Sequence, residues 1–379
     1  MRVALYVKRF PLPGAPLTGG TSLAVDGLAS GLSENGADVS VLCEGPRRTS
    51  VRTATGYSVE CFPNHQGDPS FKVSPELAPY AARQLASRDA VCLVNGMFQP
   101  SAYAMSRLLN RAGIPYIAVP HDPYDRALFH RNASVKWPYW YLFERRLLAQ
   151  ARAIQVLDMK HIAGLRRLGV DTPVIETPNG IGPGEVPAEP QLQWRQQSAP
   201  ARLVYLGRLD AYSRGLDLLL DAFARIAPLT KVRLTLQGPD WGDRARLERR
   251  AAAWAITEKV EFRVPDYERT APELIGDHDV LCLPSRFEGF GLAALEAMLA
   301  GRVVLVSEHA GVARHVLASG CGIAVRPTMP GVEEGLLALL RRRDEWREMG
   351  MRGRRYALAN LQWRDIAAAA LKQYKRLLA

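Results

Sequence analysis

The sequence predicts an α/β protein made of two doubly wound domains, each a parallel sheet flanked by helices. The chain has 379 residues, which is too long for one typical domain and comfortable for two. Short apolar runs of buried-strand type alternate with longer helix-forming stretches, a pattern that favours parallel α/β units. A proline-rich segment, Thr177–Pro200, interrupts this alternation and is the best candidate for a domain boundary.

The predicted elements follow one another in two series. The strand candidates of the first series are Arg2–Tyr6, Asp38–Cys43, Ala90–Val94, Tyr116–Val119, Ala153–Val156 and Pro173–Glu176. Its helix candidates include Thr21–Glu34, Ser101–Arg111 and Pro138–Ala151. The strand candidates of the second series are Leu203–Leu206, Val232–Gln237, Val260–Val264, Val280–Leu283, Val303–Val306 and Gly322–Val325. A last helix is predicted over Trp363–Leu378. Residues 1–177 and 178–362 are therefore expected to form two domains that face each other across a cleft.

The charge of the chain indicates an anionic partner. The formal net charge is +11, which suits nucleic acid, an acidic membrane surface or phosphorylated substrates. Residues 341–379 carry eleven Lys and Arg against four Asp and Glu, and residues 103–152 carry eight against three. Arginines on solvated helix faces would give the same counts, so this alternative stays open.

Composition excludes several other classes of protein. No apolar run approaches the roughly 18 residues of a membrane span. The first residues resemble a strand and not a signal peptide, because Lys8, Arg9 and Pro11 interrupt the apolar run. The cysteines are scattered and include no CxxC pair, which favours buried thiols in a reducing cytoplasm over a metal site or disulfides. They are Cys43, Cys61, Cys92, Cys282 and Cys321.

The most informative stretch is residues 279–299. A buried-strand run ends just before Glu288, and a strong helix former begins at Leu292, with Glu296 further along it. Between them, Gly289, Phe290 and Gly291 lead into the helix N-terminus, where free amides and close approach favour phosphate. Ligands of open α/β sheets bind at this edge, and two carboxylates there suit the hydroxyls of a ribose and a sugar. Either glutamate alone could instead stabilise the helix dipole or lie on a solvated face.

Taken whole, the string Ser285–Met298 resembles the retaining glycosyltransferases of family 4, whose Glu-x7-Glu motif occupies this strand, turn and helix. The resemblance covers nearly the whole chain in order. Its other matching segments are Met1–Val7 with Gly19-Gly20, Pro178–Ile181, Leu206–Leu220, Leu236–Pro239 and His309–His315. It implies the GT-B fold, with the last helix, residues 363–379, returning to the first domain.

The same resemblance implies a role for each site residue. Glu296 would hold the ribose and Glu288 the ring hydroxyls of the sugar. Arg208 and Arg214, which flank a turn after a predicted strand, would bind the diphosphate, since cations there stabilise the charge of a diphosphate leaving group. Arg214 stands where the family usually has Lys, which keeps the charge but changes the geometry.

The remaining candidates complete the expected donor and sugar sites. Gly207 lies in the phosphate loop, and the amides of Phe290 and Gly291 with Leu292 complete the cradle. The Gly19-Gly20 loop would face the sugar and phosphate, although an ordinary flexible turn is the alternative. His121 follows the strand Tyr116–Val119 and would hydrogen-bond the transferred sugar.

Two further motifs have a structural interpretation. Asp277-His-Asp279 is a literal D-x-D pattern, but it precedes a strand and so lies at the wrong edge of the sheet for a metal site. No other cluster has metal-ligand spacing, so we expect no metal and no cofactor beyond the nucleoside diphosphate sugar. The aromatic stretch Trp137–Phe143 suits acceptor stacking or a membrane interface, but an amphipathic helix docked on its own sheet is preferred.

These observations predict a metal-independent, retaining hexosyltransferase that uses a nucleoside diphosphate sugar. UDP-glucose is the first donor hypothesis and GDP-mannose the second, with a glycan or lipid-linked acceptor in polysaccharide or glycoconjugate biosynthesis. The expected location is the cytoplasm, with peripheral contact at the inner face of the membrane left open. A GT-B sugar epimerase or phosphorylase is the alternative enzyme. A nucleic-acid-binding protein is disfavoured, because the motif residues converge on a cleft.

Overall fold

The computed structural model describes residues 1–15, 17, 19–66, 70–129, 132–188, 194 and 199–379. The chain divides into two compact units. Unit 1 comprises Met1–Gly180 together with Trp363–Ala379, and unit 2 comprises Ile181–Gln362. The predicted boundary at 177/178 lies a few residues before the observed division, and the chain returns to unit 1 at Trp363. Part of the proline-rich boundary segment, including Pro190, lies outside the described residues.

Unit 1 contains one eight-stranded sheet. Its strands are β1 (Arg2–Tyr6), β2 (Asp38–Gly45), β3 (Thr49–Arg52), β4 (Ser58–Pro63), β5 (Ala90–Asn95), β6 (Tyr116–Val119), β7 (Ala153–Val156) and β8 (Val174–Glu176). They lie in the order β3-β4-β2-β1-β5-β6-β7-β8. All neighbouring pairs are parallel except β3 with β4, which is antiparallel. Strands β3 and β4 were not predicted from the sequence.

The helices of unit 1 cover the two faces of this sheet. They are α1 (Gly20–Glu34), α2 (Leu77–Gln84), α3 (Pro100–Arg111), α4 (Ala133–Tyr139), α5 (Arg145–Gln150), α6 (Ile162–Arg167) and α14 (Trp363–Leu378). Short 3-10 turns lie at Arg126–Phe129 and Met159–His161. One apolar core lies between the sheet and α1 with α14, and the other lies under α2, α3 and α5.

The helical stretch 133–150 departs from the prediction, which began it at Pro138. Helix α4 begins at Ala133 and has Pro138 inside it, and a π-helical turn, Trp140–Glu144, joins it to α5. A proline is most often found in the first turn of a helix, because it lacks an N–H and its ring crowds the preceding turn. Here the wider turn follows the proline directly, so the stretch is locally irregular.

Helix α14 packs tightly on α1. A Cβ atom on Gly27 would overlap the indole of Trp363, and one on Gly31 would lie 2.5 Å from the Trp363 carbonyl oxygen. Trp363, Ile366 and Ala367 are buried in the core beside these glycines. The return of the last helix to the first unit therefore depends on two residues of α1 that have no side chain.

Unit 2 contains one six-stranded, fully parallel sheet. Its strands are β9 (Ala201–Leu206), β10 (Val232–Gln237), β11 (Val260–Arg263), β12 (Val280–Leu283), β13 (Val303–Ser307) and β14 (Gly322–Val325), in the order β11-β10-β9-β12-β13-β14. Its helices are α7 (Leu216–Ile226), α8 (Arg244–Ala253), α9 (Ala271–Gly276), α10 (Leu292–Leu299), α11 (Ala313–Ser319), α12 (Met329–Arg341) and α13 (Trp346–Asn360). Short 3-10 turns lie at Pro183–Glu185, Thr257–Lys259 and Arg343–Glu345.

The strand order locates the place where a ligand is expected in unit 2. The strand order reverses between β9 and β12. From β9 the chain continues to β10 on one side, and from β12 it continues to β13 on the other side. In doubly wound sheets the crevice outside the carboxyl ends of such a strand pair is the usual ligand position. The loops that follow β9 and β12 hold Arg208, Arg214 and Glu288.

Candidate active site

An ion pair joins the two loops at the reversal point of unit 2. Arg214 precedes α7, and its Nη1 donates to Oε2 of Glu288 at 2.5 Å and to the Phe287 carbonyl oxygen at 3.2 Å. Ser285 donates from its hydroxyl to the same carboxylate oxygen at 3.1 Å. The two charged side chains are only 14% and 13% exposed. Partial burial strengthens this charge-assisted contact, so both side chains have defined positions at the sheet edge.

The turn between Glu288 and α10 has a conformation that requires glycine. Gly291 has φ 98°, and a Cβ there would lie 2.9 Å from Cδ2 of Leu283. Helix α10 begins at the next residue, and Ala294 is the first to donate back, to the Gly291 carbonyl oxygen. The amides before Ala294 therefore have no acceptor within the helix, which makes this end of α10 suitable for an anion.

A second loop holds this turn in place. The Gly311 amide donates to the Gly289 carbonyl oxygen at 3.2 Å, and the Val312 amide donates to the Phe290 carbonyl oxygen at 2.8 Å. The Phe290 side chain is buried. Because the carbonyl oxygens of Gly289 and Phe290 are satisfied by the chain after β13, the orientation of their peptide groups is fixed.

Glu296 lies on α10, in the turn that follows Leu292, and is half-buried. Burial, together with the nearby carboxylate of Glu185, raises the pKa of Glu296 to about 7. Keeping a carboxyl group in such a place costs stability. This cost is typical of a residue that is retained for a ligand contact.

Arg208 is placed differently from Arg214. It is exposed, and its guanidinium lies 4.8 Å from the ring centroid of Trp241, which follows β10. The preceding Gly207 donates its amide to the Gln237 carbonyl oxygen at 3.0 Å, which joins the ends of β9 and β10. The structure thus brings Arg214 and Glu288 into contact, whereas Arg208 stacks on an aromatic side chain. Trp241 and Ser285 were not predicted from the sequence as site residues.

In unit 1 the predicted Gly19-Gly20 pair lies at the start of α1. Gly19 is the N-cap residue with φ 100°, and Gly20 is the first residue of the helix. Both are exposed. Helix α1 therefore begins with two residues that leave its first amides uncovered by side chains, at the end of the loop that follows β1.

His121 lies after β6 in a left-handed conformation, with φ 66°. Its Nε2 is 2.8 Å from Oδ1 of Asn95, and Asn95 donates from Nδ2 to the Tyr6 and Leu93 carbonyl oxygens. Because Oδ1 can only accept, the His121 proton lies on Nε2 and leaves Nδ1 as an acceptor. Burial lowers the pKa of His121 to about 4, so the ring is neutral at physiological pH. Asn95 was not predicted, since it ends a different strand, β5.

The D-x-D pattern has the structural role that its position suggested. Asp279 precedes β12 and accepts the Arg202 amide at 2.8 Å, and Asp277 pairs with Arg269. The buried His278 contacts the Leu274 carbonyl oxygen and the Thr235 hydroxyl. All three side chains are thus engaged at the amino edge of the sheet. Across the described ranges, no three His, Cys, Asp or Glu side chains are grouped so that they could hold a metal ion.

The aromatic stretch has both a buried and an exposed face. Trp140 is buried in the core of unit 1, and Trp137 stacks on Phe129 at 4.0 Å between ring centroids. Tyr141 and Leu142 are exposed on the other face. The preferred interpretation, an amphipathic helix docked on its own sheet, describes the first face. None of the described helices is both long enough and apolar enough to cross a bilayer.

Comparison with protein families decides the identity of the fold. The family model described as Glycosyltransferase Family 4 matches residues 18–184, and the model described as Glycosyl transferases group 1 matches residues 191–356. The chain belongs to glycosyltransferase family 4. Its resemblance to that family and its activity class as a glycosyltransferase are thereby confirmed.

Individual relatives of this glycosyltransferase agree with the assignment. The chain is 26% identical to the MMP alpha-(1->4)-mannosyltransferase of Mycolicibacterium hassiacum over 323 residues. This alignment covers 79% of this chain and 74% of that protein. The sucrose-phosphate synthase of Thermosynechococcus elongatus has a TM-score of 0.78 at 20% identity, over 99% and 98% of the two chains. Anabaena HepE, in complex with UDP and glucose, has a TM-score of 0.70 at 16% identity, over 99% and 100%. The fold is GT-B, as predicted.

Proposed function

We propose that this glycosyltransferase moves a hexose from a nucleoside diphosphate sugar to a hydroxyl of a glycan or glycolipid precursor, with retention of configuration. The observation that carries the proposal is the Arg214–Glu288 ion pair at the strand-order reversal, beside the uncovered amides of α10. A cation and free amides suit a diphosphate, and carboxylates suit sugar hydroxyls. Glu288 would bind the sugar, Glu296 the ribose, and Arg208 with Arg214 the diphosphate.

The residues at this site favour a same-face reaction. Oε2 of Glu288 accepts from Arg214 and Ser285, which holds this carboxylate as a binding group, and we propose no covalent intermediate on it. In the proposed reaction the bond from the anomeric carbon to the diphosphate oxygen breaks, and the bond to the acceptor oxygen forms on the same face. The acceptor proton passes to the departing diphosphate. Neutral His121 would accept a hydrogen bond from a hydroxyl of the transferred sugar through Nδ1.

The donor proposal is UDP-glucose first and GDP-mannose second. HepE, a structural neighbour, is in complex with UDP and glucose, and the M. hassiacum relative is a mannosyltransferase. A thermal-shift panel of UDP, GDP, ADP and CMP tests the base directly. UDP is expected to raise the melting temperature most, and stabilisation by none of the four would count against a nucleotide site.

We further propose that turnover needs no metal, since Arg208, Arg214 and the α10 amides can neutralise the diphosphate. Activity is expected to persist in excess EDTA. Loss of activity on chelation, restored by Mn²⁺ or Mg²⁺, would refute metal independence. That result would not contradict the proposed nucleotide site.

We also propose that unit 1 docks on an anionic membrane surface, which would suit a lipid-linked acceptor. The outer face of residues 133–150 exposes Val135, Pro138, Tyr141 and Leu142, followed by the Arg145-Arg146 pair. The one acidic residue in the sequence of this stretch, Glu144, is buried. Apolar and aromatic side chains beside arginines are typical of interfacial helices. Each Lys or Arg near anionic headgroups contributes about 1 kcal/mol.

Liposome co-sedimentation tests this docking surface. Binding should require anionic lipid and weaken as salt rises, because salt screens the attraction. The double variant Tyr141→Ser with Leu142→Ser should lose binding. The matched control is Tyr267→Ser with Leu229→Ser, two exposed residues of unit 2, and it should bind like the parent. Equal binding by both variants, or no binding by the parent at low salt, would refute membrane docking.

A further inference from the structure

A buried glutamate connects two loops of the unit 1 sheet edge. Glu144 is 1% exposed and lies in the π-helical turn between α4 and α5. Its Oε1 accepts the backbone amide of Phe98 at 3.0 Å and the hydroxyl of Tyr124 at 2.5 Å. Phe98 lies in the loop after β5, and Tyr124 lies in the loop after β6. One carboxylate oxygen thus holds two loops that are distant in sequence from it.

These two loops hold the residues that fix His121. Asn95, the partner of the His121 ring, ends β5 three residues before Phe98, and His121 lies three residues before Tyr124. Phe98 and His121 both have positive φ, at 53° and 66°. Such non-glycine conformations are unfavourable and persist only where surrounding contacts enforce them. The Glu144 bonds are contacts of that kind, one in each loop.

The π-helical turn places the carboxyl group where it can reach both loops. Such a turn inserts an extra residue into a helix and is often found at functional sites. Burial raises the pKa of Glu144 to about 7, and Oε2 has no hydrogen-bond partner among the described residues. A leucine at this position would avoid the cost of burying a carboxyl group. The cost indicates that the group is kept for the loops it holds.

Helix α6 holds the Tyr124 loop from another side. A Cβ atom on Gly164 would overlap the Tyr124 carbonyl oxygen. The backbone of Tyr124 therefore lies between α6 and the π-helical turn, and little movement is open to it. The hydrogen bond from the Tyr124 hydroxyl to Glu144 joins this loop to the π-helical turn.

We propose that Glu144 is a positioning residue, which sets the place of the His121 ring by joining the loops after β5 and β6 through Phe98 and Tyr124. The proposal rests on the proposed function for the role of His121 at the transferred sugar. It assigns Tyr124 the same positioning task. Neither Glu144 nor Tyr124 was a candidate from the sequence, and neither needs to touch the substrate.

A matched pair of tyrosine variants tests the proposal. Tyr124 and Tyr374 are both buried in unit 1, and each donates its hydroxyl in a 2.5 Å hydrogen bond, Tyr124 to Glu144 and Tyr374 to Gln155. Replacing either by Phe removes one buried hydrogen bond, so both should lower the melting temperature, and Tyr124→Phe should do so more where Glu144 is ionised. Tyr124→Phe should also shift the His121 ring signals in a ¹H–¹³C NMR spectrum and lower kcat by on the order of 10- to 100-fold. Tyr374→Phe should do neither.

Two further measurements separate positioning from mere stability. Affinity for UDP alone should be unchanged in Tyr124→Phe, because the residues proposed to hold the ribose and the diphosphate, Glu296, Arg208 and Arg214, lie in unit 2. Glu144→Gln keeps an accepting oxygen and should lose less kcat than Glu144→Leu. Unshifted His121 signals in Tyr124→Phe, or equal kcat in the two tyrosine variants, would overturn the proposal. If the signals shift but His121→Ala turns over normally, the proposed role of His121 has failed, and with it the reason for positioning.

Discussion

At the scale of single residues, Arg208 is the site residue that can be removed with least harm to the fold. It is exposed and its guanidinium stacks on Trp241, so truncation leaves no buried charge behind. Arg208→Ala should remove a charge-assisted contact worth about 1.5–3 kcal/mol. That corresponds to roughly 10- to 150-fold in kcat/KM for the donor. Arg225→Ala, an exposed arginine of α7, is the control and should be neutral. Near-normal kcat/KM in Arg208→Ala would remove this residue from the site.

Glu296 should show the trade between stability and binding. Its folded pKa of about 7 lies above the ordinary value of 4.5, so folding favours the protonated form and stability is lost as pH rises from 4.5 through 7. Glu296→Gln should therefore raise the melting temperature at pH 8, and the gain should vanish near pH 4.5. The same variant should bind UDP-glucose more weakly, because the amide has one accepting oxygen where the ionised carboxylate has two and carries no charge.

Calorimetry and titration at several pH values check this expectation. Glu334→Gln, an exposed residue of α12, is the control and should change neither quantity. A Glu296→Gln protein that is stabilised but binds the donor as well as the parent would show that Glu296 has no role at the ribose.

What could be predicted at the residue scale depended on local sequence. Glu288, Gly291 and Glu296 lie in one strand–turn–helix string, so spacing and residue type were enough to select them. The Arg214–Glu288 contact spans 74 positions, and the Asn95–His121 contact spans 26. Such pairs depend on which strands become neighbours, which no local pattern fixes. Glu144 was not predicted for the same reason, since its partners Phe98 and Tyr124 follow other strands.

At the scale of elements, docking of the last helix on α1 has a direct test. Gly27→Leu should displace the Trp363 indole, because no space exists for a Cβ atom there. Overpacking of this kind costs about 1–3 kcal/mol, so α14 should lose protection from hydrogen exchange. Gly276→Ala, where a Cβ meets nothing within 4 Å, is the control. Unchanged exchange in residues 363–378 of Gly27→Leu would contradict this packing.

Most elements could be predicted because few polar residues interrupt their apolar runs. Strands β1, β6, β7, β10, β12 and β14 have the predicted bounds. The missed strands β3 and β4 pair antiparallel at the sheet edge, and half-exposed residues and Glu60 break their apolar pattern. At such an edge, pairing decides strand formation more than composition does.

At the scale of the whole molecule, the basic segments divide between the units. Residues 341–362 belong to unit 2, whereas 363–379 join residues 103–152 in unit 1. The basic stretch 341–379 is therefore divided between the two units. Within unit 1 the two parts do meet, because Arg152 donates to the Leu377 carbonyl oxygen at 2.8 Å. Residues 363–379 thus lie in the same unit as the proposed membrane contact of residues 133–150.

The proposed reaction is transfer of a hexose from a nucleoside diphosphate sugar with retention of configuration. The most direct measurement is ¹H NMR of the anomeric proton during turnover of an α-linked donor such as UDP-glucose, with water as acceptor when no sugar is supplied. With retention, the α-anomer should appear first and equilibrate only later by mutarotation. A β-anomer as the first product would contradict it, since the proposed same-face reaction cannot invert the anomeric carbon.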